Sequence, residues 1–417
     1  MLQSLPVNTH RPGVSGHWLP VGKSEKLPSH ILAEGAFRPA PLREDIRLER
    51  RTYRAAAEAQ HALGRLDEAA ARLPNRHALV RVTQLREAGA SLDLDDLFVA
   101  LPEIMAMDLP DADLETGIDP RVLRLRRADD DAADQVRHGA HLGTTLLSRT
   151  ARFLANVPLL ESDDDADLID EIPWRTGPAW LGGPREQDAF LLSTPSGPEL
   201  HAGVAECVTW LDADSDLPLV VQLSLGHYQL AVLQPVAHTG HLSRLLIPLG
   251  CIRGGALRDQ TLAPSLWFSR ANEEYRRQIR AVVDRGDFDS WVTFCAEGIR
   301  ELCESQIELV YRLEEIRDEQ LNTLNQRNDG LARLVDALIG NPVFNTELAV
   351  KLSGLSVRQV HTLVKRLEQA HLVRKLDRNR LTRKKNQQVV REVPDVVTAI
   401  GMFDRLPYRR DRTVFDK

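Results

Sequence analysis

The sequence predicts a mainly α-helical protein with one β-hairpin in its middle and a small basic helical module near its C-terminus. Three observations carry that expectation. Stretches rich in Ala, Leu, Arg and Glu, all strong helix formers, fill most of the chain. The Gly- and Pro-dense stretch PWRTGPAWLGGPREQDAFLLSTPSG sets the short apolar runs AWL and AFLL on either side of GGPREQD, as a loose hairpin does. Charge is also unevenly placed. Residues 351–391 hold twelve Lys or Arg against Glu368 and Asp377, a local charge of +10, which leaves −17 for the rest of a chain whose net charge is −7. An acidic body with one basic module is the pattern expected when that module alone meets a polyanion.

A length of 417 residues allows two or three domains of roughly 100–200 residues each. With 43% hydrophobic and 27% charged residues, the composition is that of an ordinary soluble globular protein. Cys207, Cys251, Cys295 and Cys303 are scattered, with no C-x-x-C pair. That argues against a disulfide framework or a zinc ribbon and suits a reducing compartment. No apolar run is long enough for a membrane helix. The start, MLQSLPVNTHRPG, lacks a charged segment followed by an apolar core, so no secretory signal is read there. A cytoplasmic protein with no membrane partner is the expectation.

Taken in order, residues 1–36 are rich in Pro, Gly, Ser and His without periodicity and read as an irregular arm. From Leu42, IRLERRTYRAAAEAQHALGRLDEAAARL reads as a helix broken at Pro74, and a second follows through LVRVTQLREAGA. SLDLDDLFVAL reads as a short capped helix with Ser91 or Asp93 as N-cap. ADDDAADQ and ESDDDAD read as acidic surface stretches around an amphipathic helix, HLGTTLLSRTARFLANV. After the hairpin, helices are expected in PELHAGVAECVTWLDA, LPLVVQLSLGHYQLAVL, RLLIPLGCIRGGAL and SRANEEYRRQIRAVVDR. A long one is expected from about Phe288 to Asn328. The body should hold almost no strand beyond the hairpin. The helical histidines His201, His227 and His361 read as ordinary helix residues.

The C-terminal module has its own rhythm. One helix stops at Gly340-Asn341-Pro342; NTELAVKLSG gives a second, capped by Asn345 or Thr346 and closed by Gly354; Ser356 caps a third, SVRQVHTLVKRLEQA. Val357, Val360, Val364 and Leu367 are spaced as one inward stripe of the third helix, and Arg358, Gln359, Thr362, Lys365 and Arg366 lie opposite. LVRKLDRNRLTRKKNQQVV then places two apolar ends around a basic loop, as a two-stranded wing would. The whole resembles a winged helix-turn-helix. Such a module implies DNA as partner, with Ser356 capping a recognition helix from which Arg358 and Gln359 read base edges. Arg378, Arg380, Arg383, Lys384 and Lys385 would neutralise phosphates. A winged helix used only for packing or dimerisation is the competing use.

From about residue 37 to 390 the chain resembles the Fic (Fido) family in its common bacterial layout, a helical N-terminal part, a Fic core and a C-terminal winged helix. FRPAPL, ALGRLDEAAARLPN, WRTGPAWLGGPREQDAFLLSTP, LVVQLSLGHYQLAVLQPV, RLLIPL and FSRANEEYRRQIRAVVDRGDFDSWVTFCAEGI are similar to family segments in the same order. The resemblance implies a fold of helical Fic core, β-hairpin flap and winged helix. It divides the chain into an arm (1–36), a helical N-terminal region (37–135), a core (136–328), a winged helix (329–395) and a tail (396–417). It further implies that the flap residues Leu181, Gly182, Gly183, Phe190 and Leu191 hold a target segment by strand addition.

Family members move a nucleotide, usually AMP from ATP, onto a protein hydroxyl, using a loop of the form H-P-F-x-D/E-G-N-G-R-x-x-R. In it the histidine is general base, the acid holds magnesium, and the glycine turn and arginines hold phosphates. LQPVAHTGHLSR departs from this nearly everywhere. Gln234 stands in the histidine position, and a neutral amide accepts no proton there. Pro235 matches, Val236 replaces the phenylalanine, and His238 replaces the acid. Thr239-Gly240 stands for the Gly-Asn-Gly turn in a loop one residue short. His241 replaces the first arginine, and only Arg244, the second, remains. The family's inhibitory helix motif, S/T-x-x-x-E-G/N, is also missing from REAGASLDLDDL. His227, His238 and His241 offer a zinc alternative, but without a cysteine or a matched acid they fall short of a tetrahedral ligand set.

The expectation is therefore a degenerate Fic-fold protein that regulates transcription or binds partners and is counted as no enzyme. Neither metal nor cofactor is expected, and ATP with magnesium enters only with residual activity. A homodimer on DNA follows from the resemblance. The alternative is a divergent nucleotidyltransferase, a protein AMPylation enzyme with an altered loop.

Overall fold

The structure is a computed structural model of the full sequence; it describes residues 15–22, 27–73, 76–95, 97–99, 101–106, 109, 120–159, 172–183, 185–237, 240–324, 329–376 and 389–404. In chain order its elements begin with β1 (Gly16–Leu19), α1 (Ser29–Glu34), β2 (Ala36–Pro39), α2 (Arg50–Ala71) and α3 (Arg76–Leu94). There follow α4 (Leu101–Ala106), α5 (Pro120–Arg137), α6 (Thr144–Ala155), β3 (Trp180–Gly182), β4 (Ala189–Ser193), α7 (Pro198–Asp212) and α8 (Leu219–Leu233). Then come α9 (His241–Arg253), α10 (Pro264–Arg270), α11 (Asn272–Arg285) and α12 (Phe288–Thr323). The chain closes with α13 (Asp329–Gly340), β5 (Val343–Phe344), α14 (Thr346–Ser353), α15 (Val357–Gln369), β6 (Arg374–Lys375), β7 (Arg391–Glu392) and α16 (Pro394–Asp404).

These elements fall into two compact units built from interleaved segments. One comprises Met1–Ala59, Asp134–Arg253 and Asn272–Glu297; the other Gln60–Ala133, Gly254–Ala271 and Gly298–Lys417.

The first unit is a helical core carrying a four-stranded sheet of order β1-β2-β4-β3. The hairpin β3–β4 forms as the sequence predicts, but the sheet is larger than expected. β2 pairs parallel with β4, and β1 pairs antiparallel with β2. The stretch expected to be an irregular arm thus supplies a strand, a helix and the first residue of another strand. Its strands are too short to show a period, and its apolar residues Ile31 and Ala36 are buried together with Leu192 of β4. In the core, α8 is buried nearly all round, because both its faces are apolar. Trp291, 0% exposed, donates from Nε1 to the Ser224 carbonyl at 2.7 Å and packs edge-on against Tyr228. α9 starts at His241, three residues before the RLLIPL run, and is buried through Ile252.

The second unit centres on α3, which packs against α10 and α13. Its interior is partly polar, and many of its buried polar groups are hydrogen-bonded. Arg86 donates to Gln306 at 2.6 Å, and Gln306 donates to Thr83 at 2.5 Å. Glu87 accepts from the backbone N–H and the hydroxyl of Ser265. Two expectations are corrected here. Ser91 and Asp93 cap nothing: α3 runs through them to Leu94, with Ser91 buried and Asp93 accepting from Ser269. ADDDAADQ is an acidic surface only in part: it lies within α5, with Asp130 and Asp134 exposed but Ala128, Ala132 and Ala133 facing inward. Asp129, 0% exposed, accepts from Gln260. Small alanines let the helix approach closely, so the acidic stretch carries an apolar stripe that its composition hides. ESDDDAD lies outside the described residues.

At its C-terminal end this unit places α13, β5, α14 and α15 before a ribbon of β6 and β7, with a three-stranded sheet of order β5-β7-β6. Among the described residues no helix is long and apolar enough to cross a membrane.

Candidate functional site: the loop after α8, the flap, and the outer face of α15

The loop that follows α8 begins at Gln234, which ends the helix in a left-handed conformation with φ 46° and ψ 68°. That geometry turns the chain sharply and directs the Gln234 side chain to the flap. Its amide Nε2 donates to the Trp180 carbonyl of β3 at 3.0 Å. The direction of that carbonyl matters. Ser193 N–H donates to the Ala179 carbonyl at 2.9 Å, so this residue pair faces the ladder and the next, Trp180 and Leu192, faces away. β3 is the outer strand of its sheet. Gln234 therefore occupies an outward carbonyl of the flap edge, one that an added strand would need.

Arg175, which sequence reasoning passed over, holds the arrangement. It is 4% exposed. Its Nε donates to the Gln234 carbonyl at 2.7 Å, Nη1 to Gly177 at 2.9 Å, and Nη2 to Leu233 at 3.2 Å and to Thr194. Its backbone N–H donates to the Pro235 carbonyl at 3.0 Å. One guanidinium thus joins the base of the flap, the end of α8 and the start of the loop. Burial pulls its pKa down to about 10, which leaves it charged at neutral pH. No period or motif marks an arginine in WRTG for this work. The nearest clue is its place directly before a Gly-Pro hairpin, where backbone carbonyls gather.

At the other end of the loop, Gly240 lies under Arg244. A Cβ on Gly240 would stand 2.6 Å from Arg244 Nη1, so only glycine admits the guanidinium this close. Arg244 is 5% exposed and His241 0%. Ser243 Oγ donates to the Gly240 carbonyl at 2.8 Å. Behind the loop, His227 donates from Nδ1 to the Ser243 carbonyl at 2.8 Å and packs in a cluster of three rings with Tyr275 and Trp291. Burial, helped by the nearby Arg244 charge against the Ser243 bond, drives the His227 pKa down to about 3. The ring is neutral and packed. Of the six loop residues singled out in sequence, the structure describes Gln234, Pro235, Gly240, His241 and Arg244; His238 lies outside the described residues. Of the zinc alternative, His227 and His241 are described, each buried.

The flap residues divide. Leu181, Gly182 and Gly183 belong to the outer strand or its turn, half-buried. Gly182 has φ 149°, and a Cβ there would meet the Asp188 carbonyl oxygen at 2.2 Å, so the bulge after Leu181 needs glycine. Phe190 and Leu191, expected at the docking edge, sit on β4, which is covered by β2 and β3 on its two sides. Leu191 is 0% exposed and Phe190 lies under Arg276. They support the flap from within.

In the C-terminal module, Asn345 accepts from Leu348 N–H at 2.8 Å and caps α14, and Gly354 closes it at φ 64°. Ser356 and Gln359 form a reciprocal capping box at the start of α15. The inward stripe is Val360, Leu363, Val364 and Leu367. Val357, expected inward, is 55% exposed, because the helix begins one turn beyond the core it packs on. Arg358, Thr362 and Lys365 are exposed and Arg366 half-buried. Gln359 is exposed too, but its Oε1 accepts from the Ser356 N–H at 3.0 Å and hydroxyl at 2.8 Å, which withdraws that oxygen from base reading. Arg378, Arg380, Arg383, Lys384 and Lys385 lie outside the described residues. Flanking them, Arg374 on β6 pairs with Glu392, and Arg391 with Glu368.

Fold and loop together define a class that comparison with known proteins makes specific. Residues 53–121 match the family model described as Fic/DOC family N-terminal. The chain superposes on a Fic family protein from Desulfovibrio desulfuricans G20 with a TM-score of 0.51 at 17% identity, covering 84% of this chain and 98% of that one. It is also similar, at a TM-score of 0.44 and 16% identity, to Fic-1 from C. elegans, over 61% of this chain and 73% of that one. No curated protein matches in sequence. The chain has the Fic fold, and its residues 53–121 are similar to the Fic/DOC N-terminal segment.

Proposed function

We propose that this chain is a catalytically degenerate Fic-fold regulator that binds duplex DNA through a C-terminal winged helix. The observation that carries the reading is the outer face of α15, where Arg358, Thr362 and Lys365 stand exposed on a helix fixed by its capping box. A two-stranded ribbon follows it, and the segment between the strands is strongly basic. This is the arrangement in which a recognition helix enters the major groove while a wing grips phosphates. The loop after α8 supports the other half of the reading. Gln234 offers no base and is bonded to the flap, and Arg244 lies over Gly240, where a phosphate would need open backbone N–H groups. The body then serves self-association or partner binding, with a palindromic site on DNA if it dimerises.

The test is binding of the whole chain to duplex DNA over a salt series. Affinity should fall log-linearly with salt, by about 0.9 in slope per phosphate neutralised. Arg358→Ala with Lys384→Ala should lower both affinity and slope. Binding that ignores salt and both changes removes the reading. Transfer of label from ATP by the unaltered protein would favour the enzyme instead.

A further inference from the structure

The first turn of α15 exposes an apolar side chain at the place where a recognition helix meets bases. Val357 is 55% exposed, and on the helix surface it heads a row with His361 and Lys365, both exposed, beside Arg358 and Thr362. Leu352, 41% exposed, lies five residues earlier at the end of α14, next to the exposed Lys351. Two apolar groups thus flank the turn near the exposed Lys351, Arg358 and Lys365, and such charge selects a polyanion over an apolar protein surface.

We infer, resting on the DNA-binding reading, that Val357 reads the 5-methyl group of a thymine in the major groove. Thymine alone among the bases presents a methyl there, and small apolar side chains recognise it. The first residues of a recognition helix are the ones that reach base edges. A β-branched side chain has little χ1 freedom in a helix, so its methyls are presented with little further ordering. The neighbour that would compete by hydrogen bonding, Gln359, has its carbonyl oxygen held in the capping box. The preferred duplex therefore carries thymine at one fixed position under the start of α15.

The experiment is selection of duplexes from a random library by the full-length chain, followed by replacement of each thymine in the best duplex by uracil, which removes only the methyl. At one position at least, uracil should weaken binding by about fourfold, the effect of exposing one buried methylene-sized group. Val357→Ala should keep salt-dependent binding and lose that difference between thymine and uracil. If a duplex is selected and no uracil matters, or if Val357→Ala responds to uracil as the parent does, the valine contact is wrong and DNA binding stands. If no duplex is retained even at low salt, both readings fail, and the patch belongs to a protein partner.

Discussion

Arg175 directs its donors to the carbonyls of Gly177, Thr194, Leu233 and Gln234, all backbone groups from segments far apart in sequence. Removing it leaves several buried acceptors short of a partner, each a substantial desolvation cost. Arg175→Met should lower unfolding free energy by about 2–4 kcal/mol in urea titration, while Arg175→Lys, which keeps charge but not the fork, should recover only part. An unchanged urea midpoint in the methionine variant would refute this role. His227 gives a pH signature. The native ring stays neutral down to about pH 3, whereas the unfolded chain takes up the proton near the ordinary imidazole value of 6.5. Between those values the unfolded state binds more protons, so stability falls as pH falls, by up to about 1.4 kcal/mol per unit from this group. His227→Phe removes that term, so the stability gap between parent and variant should narrow from neutrality toward acid, read by urea midpoints at each pH. Both residues show where single-residue reading ends. Gln234, Gly240, His241 and Arg244 were legible because a loop motif fixes their spacing. Arg175 was not, because its role comes from carbonyls that only the fold brings together.

At the level of elements, periodicity located the long helices, with α7 and α12 starting at the expected Pro198 and Phe288, but not how far each is buried. The stripe of α15 is legible from Val360 onward, but Val357 shares its spacing and not its burial, since periodicity cannot say where the packing partner ends. The same limit explains Ser91 and Asp93, good cap residues that lie inside α3 because tertiary contacts carry the helix past them. Short strands are the other blind spot: β1 and β2 span four residues each and have no period to detect. At Asn345 and Ser356 the caps read from their chemistry form. Ser356→Ala should cost about 1 kcal/mol of stability and free Gln359 from the box. Ser356→Asp, which still accepts from the helix N–H groups, should retain most of it. Thermal unfolding of the three proteins decides, and equal midpoints for serine and alanine would mean that the box adds nothing.

For the molecule as a whole, the question is how many changes separate this loop from chemistry. If the missing base were the only loss, Gln234→His would restore transfer of label from ATP. The proposed reading has several losses act at once. The loop is a residue shorter than the pattern it resembles, the Arg244 guanidinium lies against Gly240, and His241 is buried in place of a phosphate-gripping arginine. A general base contributes about 10²–10⁴-fold, but it acts only on a substrate held in line, and positioning of a triphosphate needs an amide and cation grip that the proposed reading denies this loop. Gln234→His should therefore stay silent in a labelling assay with magnesium and candidate protein targets. It should also loosen the flap, because imidazole at a left-handed helix end does not reproduce the amide bond to Trp180. Amide hydrogen exchange across residues 179–183 should then quicken relative to the parent. Label transfer by that variant, with exchange unchanged, would mean that a working phosphate site persists beneath a single substitution.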